Sequence, residues 1–215
     1  MARTSRHKEY NEELNVWQAF TDLMSNAFLM AILFLLLNIV TSSLSQQKQN
    51  TDAPPIILIK DEGAYRFASG SAEIPPKMLT YILRRIVPEI EARTKQYNIN
   101  VVEIIGHTDG QPNGNVVSNL DQNLEKVVNG ELPIVNLRAG SNADLGLMRA
   151  LAVVKVLRDV QRKQGKLSKL SFRGYSAAQM ILPSGEVAAI ARQDDQTRRR
   201  IEIRFTRLGK VREVK

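Results

Sequence analysis

Three groups of residues have the types and spacing to do chemistry. The first is Asp22, with Ser25 and Asn26 three and four positions later, at the start of the apolar run Leu23–Val40. At helical spacing these side chains share one face, which makes a short polar stripe on a greasy helix. A carboxylate costs about 2.5–3.5 kcal/mol near the centre of a bilayer and less near its ends. Such a residue faces a partner protein or a water-filled path, or it sits at headgroup level and marks the helix N-terminus. The second group is His107-Thr108-Asp109, after an apolar run, together with Arg149. The H-x-D pair has no third ligand nearby, and the other histidine is His7, so no metal site is expected. Taken singly, Asp109 reads as a turn aspartate and Arg149 as a solvated helix arginine. The third group is the basic run Arg192–Arg212. It lacks the interleaved aromatics of a nucleic-acid surface. It reads as a solvated sheet edge whose charges deter edge-to-edge pairing, or as attraction to an anionic glycan. There is no Ser/His/Asp set and no phosphate-cradling glycine loop, so nothing points to an enzyme.

These groups need elements to hold them. Residues 17–40 are long and apolar enough to cross a bilayer once as a helix. A cleaved signal peptide is the third reading of this stretch, but the apolar run is long for that and no A-x-A site follows Val40. Arg3, Arg6 and Lys8 precede the run, and the first basic residue after it is Lys48. The positive-inside rule then puts residues 1–16 in the cytoplasm and the rest outside the inner membrane. The chain has 215 residues, a net charge of +8 and no cysteine. A disulfide framework and thiolate metal sites are excluded, and the topology argues against nucleic acid as a partner. Residues 41–55 are rich in Ser, Gln, Asn and Thr and end in two prolines, the composition of a linker. That leaves 56–215 for one soluble domain.

Within that domain Ile56–Ile59 is an apolar run of strand type, and 65–74 alternates like a strand. Met78–Tyr97 carries Leu79, Ile82, Leu83, Ile86, Val87 and Ile90 at helical spacing, with Pro88 bound to bend or interrupt it. Val101–Ile105 is a short buried strand. Ala143–Gln161 is an amphipathic helix with Leu147, Leu151, Val154 and Leu157 inward. Leu167–Phe172 is a strand ending at Gly174, and Arg200–Thr206 is the last strand. The fold class is α+β, a sandwich with helices on one side of a small mixed sheet.

Two sets of motifs resemble a known family. Trp17, Phe20, Asp22, Leu23 and Met24 resemble the start of the single transmembrane helix of MotB, the flagellar stator subunit. Several later stretches resemble the OmpA-like peptidoglycan-binding domain that MotB shares. They are Phe67–Ala72, the strand and turn VEIIGHTD at 102–109, and Asn142-x-x-Leu145-Gly146-x-x-Arg149-Ala150. Gly174-Tyr175 with Pro183, and Arg199–Ile203, complete the set. Gly146 stands where the family has Ser, and Arg198 where it has Asn. A departure is the insertion at about 110–141, between the GHTD turn and the helix. Part of it, Leu120–Val128, reads as a small helix with Leu120, Leu124, Val127 and Val128 inward.

The resemblance implies an inner-membrane subunit of an ion-driven rotary motor, with its N-terminus in the cytoplasm and an OmpA-like domain in the periplasm. Asp22 would carry the ion, proton or sodium, with Ser25 and Asn26 beside it, and no cofactor is implied. The partners would be a ring of MotA-like membrane protein (five copies around two), a second copy of this chain, and peptidoglycan. In the wall-binding site Asp109 would hold the ammonium of the stem peptide's diaminopimelate and Arg149 its carboxylate, with Thr108, Asn142 and Arg199 around them. A planar arginine fork suits a carboxylate. The 41–55 segment would correspond to the stator plug, with Leu44 its lone apolar anchor. The layout is shared by the ZorB subunit of Zorya phage-defence systems, so motility and defence both stay open. A static tether between membrane and wall is the rival reading.

Overall fold

The computed structural model describes residues 5–51, 54–209 and Glu213, with side chains at 16–44, 54–209 and Glu213. Arg3 of the cytoplasmic flank, residues 52 and 53 of the expected linker and Arg212 of the basic run lie outside the described residues. The chain divides into two units, Met1–Ala53 and Pro54–Lys215.

The first unit is one helix, α1, Ser5–Thr51. Its stretch Val16–Leu44 spans 29 residues with a mean hydropathy of 2.3 and no part of that window buried. At 1.5 Å per residue it is about 43 Å long, more than the ~30 Å of a bilayer's hydrocarbon core. Large apolar side chains such as Phe28, Leu33 and Phe34 stand bare, a surface that calls for an apolar solvent. The linker expected at 41–55 is corrected here, because α1 continues through Thr51. Polar residues are poor starters of a helix, but propagation from an existing helix costs far less than nucleation. No Pro or Gly interrupts the chain before Pro54.

The second unit is built on a four-stranded sheet of order β1-β4-β2-β3. Its strands are β1 Ile57–Lys60, β2 Val101–His107, β3 Ser171–Ala178 and β4 Arg200–Thr206. β2 runs parallel to β3 and antiparallel to β4, and β1 is antiparallel to β4, so the sheet is mixed. The helical segment between β1 and β2 comprises α2 Pro76–Tyr81, a π turn Ile82–Ile86 and α3 Val87–Tyr97. Pro88 neither breaks nor ends it. Proline lacks an N–H and its ring crowds the carbonyl four residues back; the wider π turn just before it relieves that crowding. α4 Leu120–Asn129 lies in the insertion, and α5 Asn142–Gln164 follows it.

One core lies between the helices and the sheet. Met78, Ile82 and Ile90 from the first helical segment, Val153 and Leu157 from α5, and Val102, Ile104, Ile201 and Ile203 from the sheet are buried together. Leu147 and Leu151, expected inward, are only half-buried, because α5 turns Ala150, Val153 and Val154 to the sheet. A second cluster joins the insertion to α5 through Leu120, Val127, Leu137, Leu145 and Met148.

Three expectations are corrected. Residues 66–75 form a loop, not a strand. Their backbone is bonded by side chains instead of a neighbouring strand: Phe67 N donates to Asp61 Oδ1 at 2.6 Å, and Ser71 O accepts from Arg149 Nε at 3.0 Å. The strand expected at 167–172 begins only at Ser171 and runs through Gly174 to Ala178. Gln161 Nε2 on α5 holds the carbonyls of Leu167 and Leu170 at 2.7 and 3.0 Å and shapes 167–170 as a turn. Finally, β4 is an interior strand between β1 and β2, so Arg198, Arg199 and Arg200 are buried and the basic run is no solvated edge.

Candidate functional site

Two glycines bring the site's elements together. A Cβ on Gly106 in β2 would lie 1.9 Å from the carbonyl oxygen of Gly146 in α5, and a Cβ on Gly146 would lie 2.9 Å from that of Gly106. Strand and helix therefore touch backbone to backbone at this level. The start of α5 is fixed by reciprocal caps: Ser141 Oγ accepts from Asp144 N at 3.2 Å, and Asp144 Oδ2 accepts from Gly140 N at 2.8 Å. Asn142 ties this end to the turn after β2, donating from Nδ2 to Gln111 O at 2.9 Å and to Asp109 O at 3.3 Å. Asp109 follows β2 and Arg149 lies two turns into α5, so this contact sets their separation.

The charges are arranged in pairs. Arg199 Nη1 donates to Asp109 Oδ2 at 3.1 Å and to Asp194 Oδ1 at 2.7 Å. Asp109 also accepts from Gln111 N at 3.2 Å and from Asp195 N at 3.4 Å. Arg149 Nη1 lies 3.0 Å from Asp61 Oδ2, and its guanidinium stacks over the Phe67 ring at 4.8 Å. It donates further to Ser71 O and Ala68 O at 3.0 and 3.4 Å. Burial lowers the Arg149 guanidinium below its ordinary pKa, and Asp61 opposes that shift. Three of its five N–H groups are engaged inside the protein, which leaves two. By contrast Arg199 Nε, Arg199 Nη2 and Thr108 Oγ1 are buried without a hydrogen-bond partner among the described residues.

These groups line one open cleft of about 490 Å³. All five residues expected at a wall-binding site, Thr108, Asp109, Asn142, Arg149 and Arg199, are in its lining. The insertion supplies one stretch of wall, including Asn113 and Arg138, and Asn113 Nδ2 is bonded to Ala139 O at 2.9 Å. Sequence reasoning missed Asp61. It sits just past β1, 88 positions from Arg149, in what reads as an ordinary Asp-Glu-Gly turn. A signal was present all the same: an arginine expected to be buried needs a carboxylate, and Asp61 is the first acid after the first strand.

The neighbouring side chains face elsewhere. His107, Arg200, Glu202 and Arg204 lie together on the sheet face away from the main core. Glu202 Oε1 accepts from Arg200 Nε and Nη2 at 2.9 and 2.6 Å, and Oε2 accepts from Arg204 Nε and Nη2 at 3.0 and 2.6 Å. Burial alone would raise the Glu202 carboxyl, but the hydrogen bonds from Arg204 and Arg200 hold it below its ordinary value. His107 Nε2 is 3.2 Å from Glu202 Oε1. Burial, reinforced by Arg200, lowers its pKa to about 4, so the imidazole is neutral at pH 7. Arg200 Nη1 and Nη2 reach Ile181 O and Leu182 O at 3.3 and 3.0 Å, which closes the segment after β3 over this cluster.

On α1, Asp22, Ser25 and Asn26 are exposed. Three other polar side chains of this helix bond to its own backbone. Thr21 Oγ1 donates to Trp17 O at 2.8 Å, Asn38 Nδ2 to Phe34 O at 2.9 Å and Thr41 Oγ1 to Leu37 O at 2.9 Å. The side chains of Asp22, Ser25 and Asn26 make no hydrogen bond among the described residues.

No family model and no curated protein matches this chain. Among solved structures, the chain is similar to the periplasmic domain of Helicobacter pylori MotB, with 23% identity over 74% of this chain and 79% of that one and a TM-score of 0.42. It is similar to the cell wall anchor of the T6SS from Pseudomonas aeruginosa, with 19% identity over 70% and 80% and a TM-score of 0.35. The OmpA-like domain of FopA1 from Francisella tularensis is 17% identical over 72% and 75%, with a TM-score of 0.34.

Proposed function

We propose that this chain is a membrane-anchored, peptidoglycan-binding subunit of an ion-driven motor, resembling MotB or ZorB. The cleft grips the wall, and α1 carries the ion at Asp22. The observation that supports the wall-binding half is the convergence in one cleft of Thr108, Asp109, Asn142, Arg149 and Arg199, five residues spread over most of the soluble domain. A diaminopimelate end group offers an ammonium beside a carboxylate. Asp109 supplies the anion for the first, and the two remaining N–H groups of Arg149 supply the cation for the second.

The motor half rests on α1. A simple anchor has no need of a carboxylate, a hydroxyl and an amide on one face at the start of its apolar run, none of them bonded to the helix's own backbone. Hydrocarbon would charge several kcal/mol for such groups, so they face other protein or water, as an ion path between this helix and a ring of MotA-like subunits provides. Two copies of the chain within one ring would present two such carboxylates.

Two measurements test the reading on the full chain in detergent. The protein should co-sediment with purified peptidoglycan. It should also co-purify with the ring-forming protein encoded beside it, and the complex in vesicles should pass protons or sodium. Asp22→Asn keeps size and polarity but removes the charge, so assembly should persist while flux disappears. An Asp22→Asn complex that still conducts would sink the motor reading. A chain that binds the wall but assembles with no ring and conducts no ion would be a static tether.

A further inference from the structure

The cleft holds more positive charge than a zwitterionic ligand requires. Four arginines line it, Arg66, Arg138, Arg149 and Arg199, against two lining carboxylates, Asp61 and Asp109, and a third, Asp194, bonded to Arg199. Two of the arginines are neutralised from within, Arg149 by Asp61 and Arg199 by Asp109. The other two are not. Arg66 and Arg138 are exposed, and among the described residues their guanidinium groups form no hydrogen bond or ion pair. They come from separate pieces of chain: Arg66 from the loop ahead of α2, Arg138 from the insertion between β2 and α5. Arg66 is close enough for its charge to lower the pKa of Arg149, so it belongs to the field of this cleft and not to a remote surface.

An ammonium and one carboxylate would satisfy Asp109 and Arg149 and leave Arg66 and Arg138 facing water. Two like charges at the mouth of a cleft that is already internally balanced raise the local potential and favour an anion. A planar guanidinium fits a carboxylate. We propose that Arg66 and Arg138 form a second carboxylate subsite at the mouth of the cleft, so that the ligand is a diacid with one ammonium and the insertion discriminates free-acid stem peptides from amidated ones. This rests on the reading of the cleft as a stem-peptide site and adds a charge requirement to it.

The test uses the full chain in detergent micelles and two synthetic N-acetylated tripeptides ending in diaminopimelate, with the peptide-terminal carboxylate amidated in both so that one ammonium and one carboxylate remain on the end group. One is the free acid. In the other the glutamyl α-carboxylate is an amide, and the end group meant for Asp109 and Arg149 is unchanged. The free acid should bind about three- to five-fold more tightly, the size of one partly exposed charge pair, and the gap should narrow as salt rises. In Arg66→Gln/Arg138→Gln the two peptides should bind alike, with the melting temperature unchanged because both residues are exposed and unpaired. Arg84→Gln/Arg173→Gln, the loss of the same two charges at exposed positions outside the cleft, should keep the full gap. Equal binding of both peptides by the wild-type chain, or a gap that survives the double substitution, overturns this proposal and leaves the wall-binding reading standing. Binding of neither peptide overturns both.

Discussion

Two buried charge clusters sit at the same end of β2 and β4, one on each side of the sheet. Arg199 and Arg200 are adjacent in sequence, yet Arg199 joins Asp109 in the cleft and Arg200 joins Glu202 on the outer face. In the outer cluster both carboxylate oxygens of Glu202 take bidentate arginine forks, and the segment after β3 closes over it. Buried atoms without a hydrogen-bond partner among the described residues occur on both sides, His107 Nδ1 in the outer cluster and Arg199 Nε, Arg199 Nη2 and Thr108 Oγ1 at the cleft; the difference is that the cleft side borders an open space of about 490 Å³. A cluster that the chain closes over holds structure. One that borders an open cleft has room for a ligand. Substitutions should therefore separate stability from binding.

The largest stability loss should come from the closed cluster. Glu202→Ala leaves Arg200 buried without its carboxylate, and removing one partner of a buried ion pair costs about 3–5 kcal/mol. Urea unfolding should show that loss, with wall binding by the remaining folded protein unchanged. Arg149→Ala should fall just short of it in stability, because Asp61 keeps its bond from Phe67 N, but this variant should also lose peptidoglycan binding. If Glu202→Ala weakens binding as much as Arg149→Ala does, the two clusters are one functional unit and the contrast fails.

His107 gives a smaller effect with a defined pH window. Its folded pKa is about 4, below the ordinary 6.5, so between those values the unfolded chain binds more protons than the folded one. Stability is then full above about pH 6.5 and falls as pH drops towards 4, by up to roughly 3 kcal/mol. The groups facing His107 are Arg200, Glu202 and Arg204, and the depressed Glu202 carboxyl adds a further loss at still lower pH. His107→Gln should flatten the melting-temperature profile between pH 6.5 and 4. An unchanged slope would mean that the imidazole takes its proton in the folded state.

Much of this was legible in the chain. Helical spacing located α5 and the segment before β2, and the GHTD stretch located the end of β2. What periodicity could not carry were pairings made over long separations. Arg149 and Asp61 are 88 positions apart, and Arg199 and Asp109 are 90 apart. Those partners decide that 66–75 is a loop bonded by side chains, although its alternation suits a strand. They also decide that Arg149 is half committed before any ligand arrives. The basic run looked solvated because charge was read without the sheet order, which makes β4 interior and obliges Glu202 to accompany its arginines.

The smallest stability change, and the sharpest test of the contrast, is Asp109→Asn. The amide keeps an oxygen that can accept from Arg199, Gln111 N or Asp195 N, and Arg199 retains Asp194 at 2.7 Å. The cost should be about 1 kcal/mol, within the range of one weakened hydrogen bond. Binding should respond much more. A ligand ammonium would meet a neutral amide beside an arginine released from its counter-charge, and the loss of one member of a desolvated charge pair costs about 2–5 kcal/mol. Co-sedimentation with peptidoglycan should therefore nearly vanish while the unfolding midpoint barely moves. A variant that unfolds early and still binds would make Asp109 a structural residue like Glu202. The ligand would then have to be held by Arg149 and the unpartnered groups of Arg199 alone.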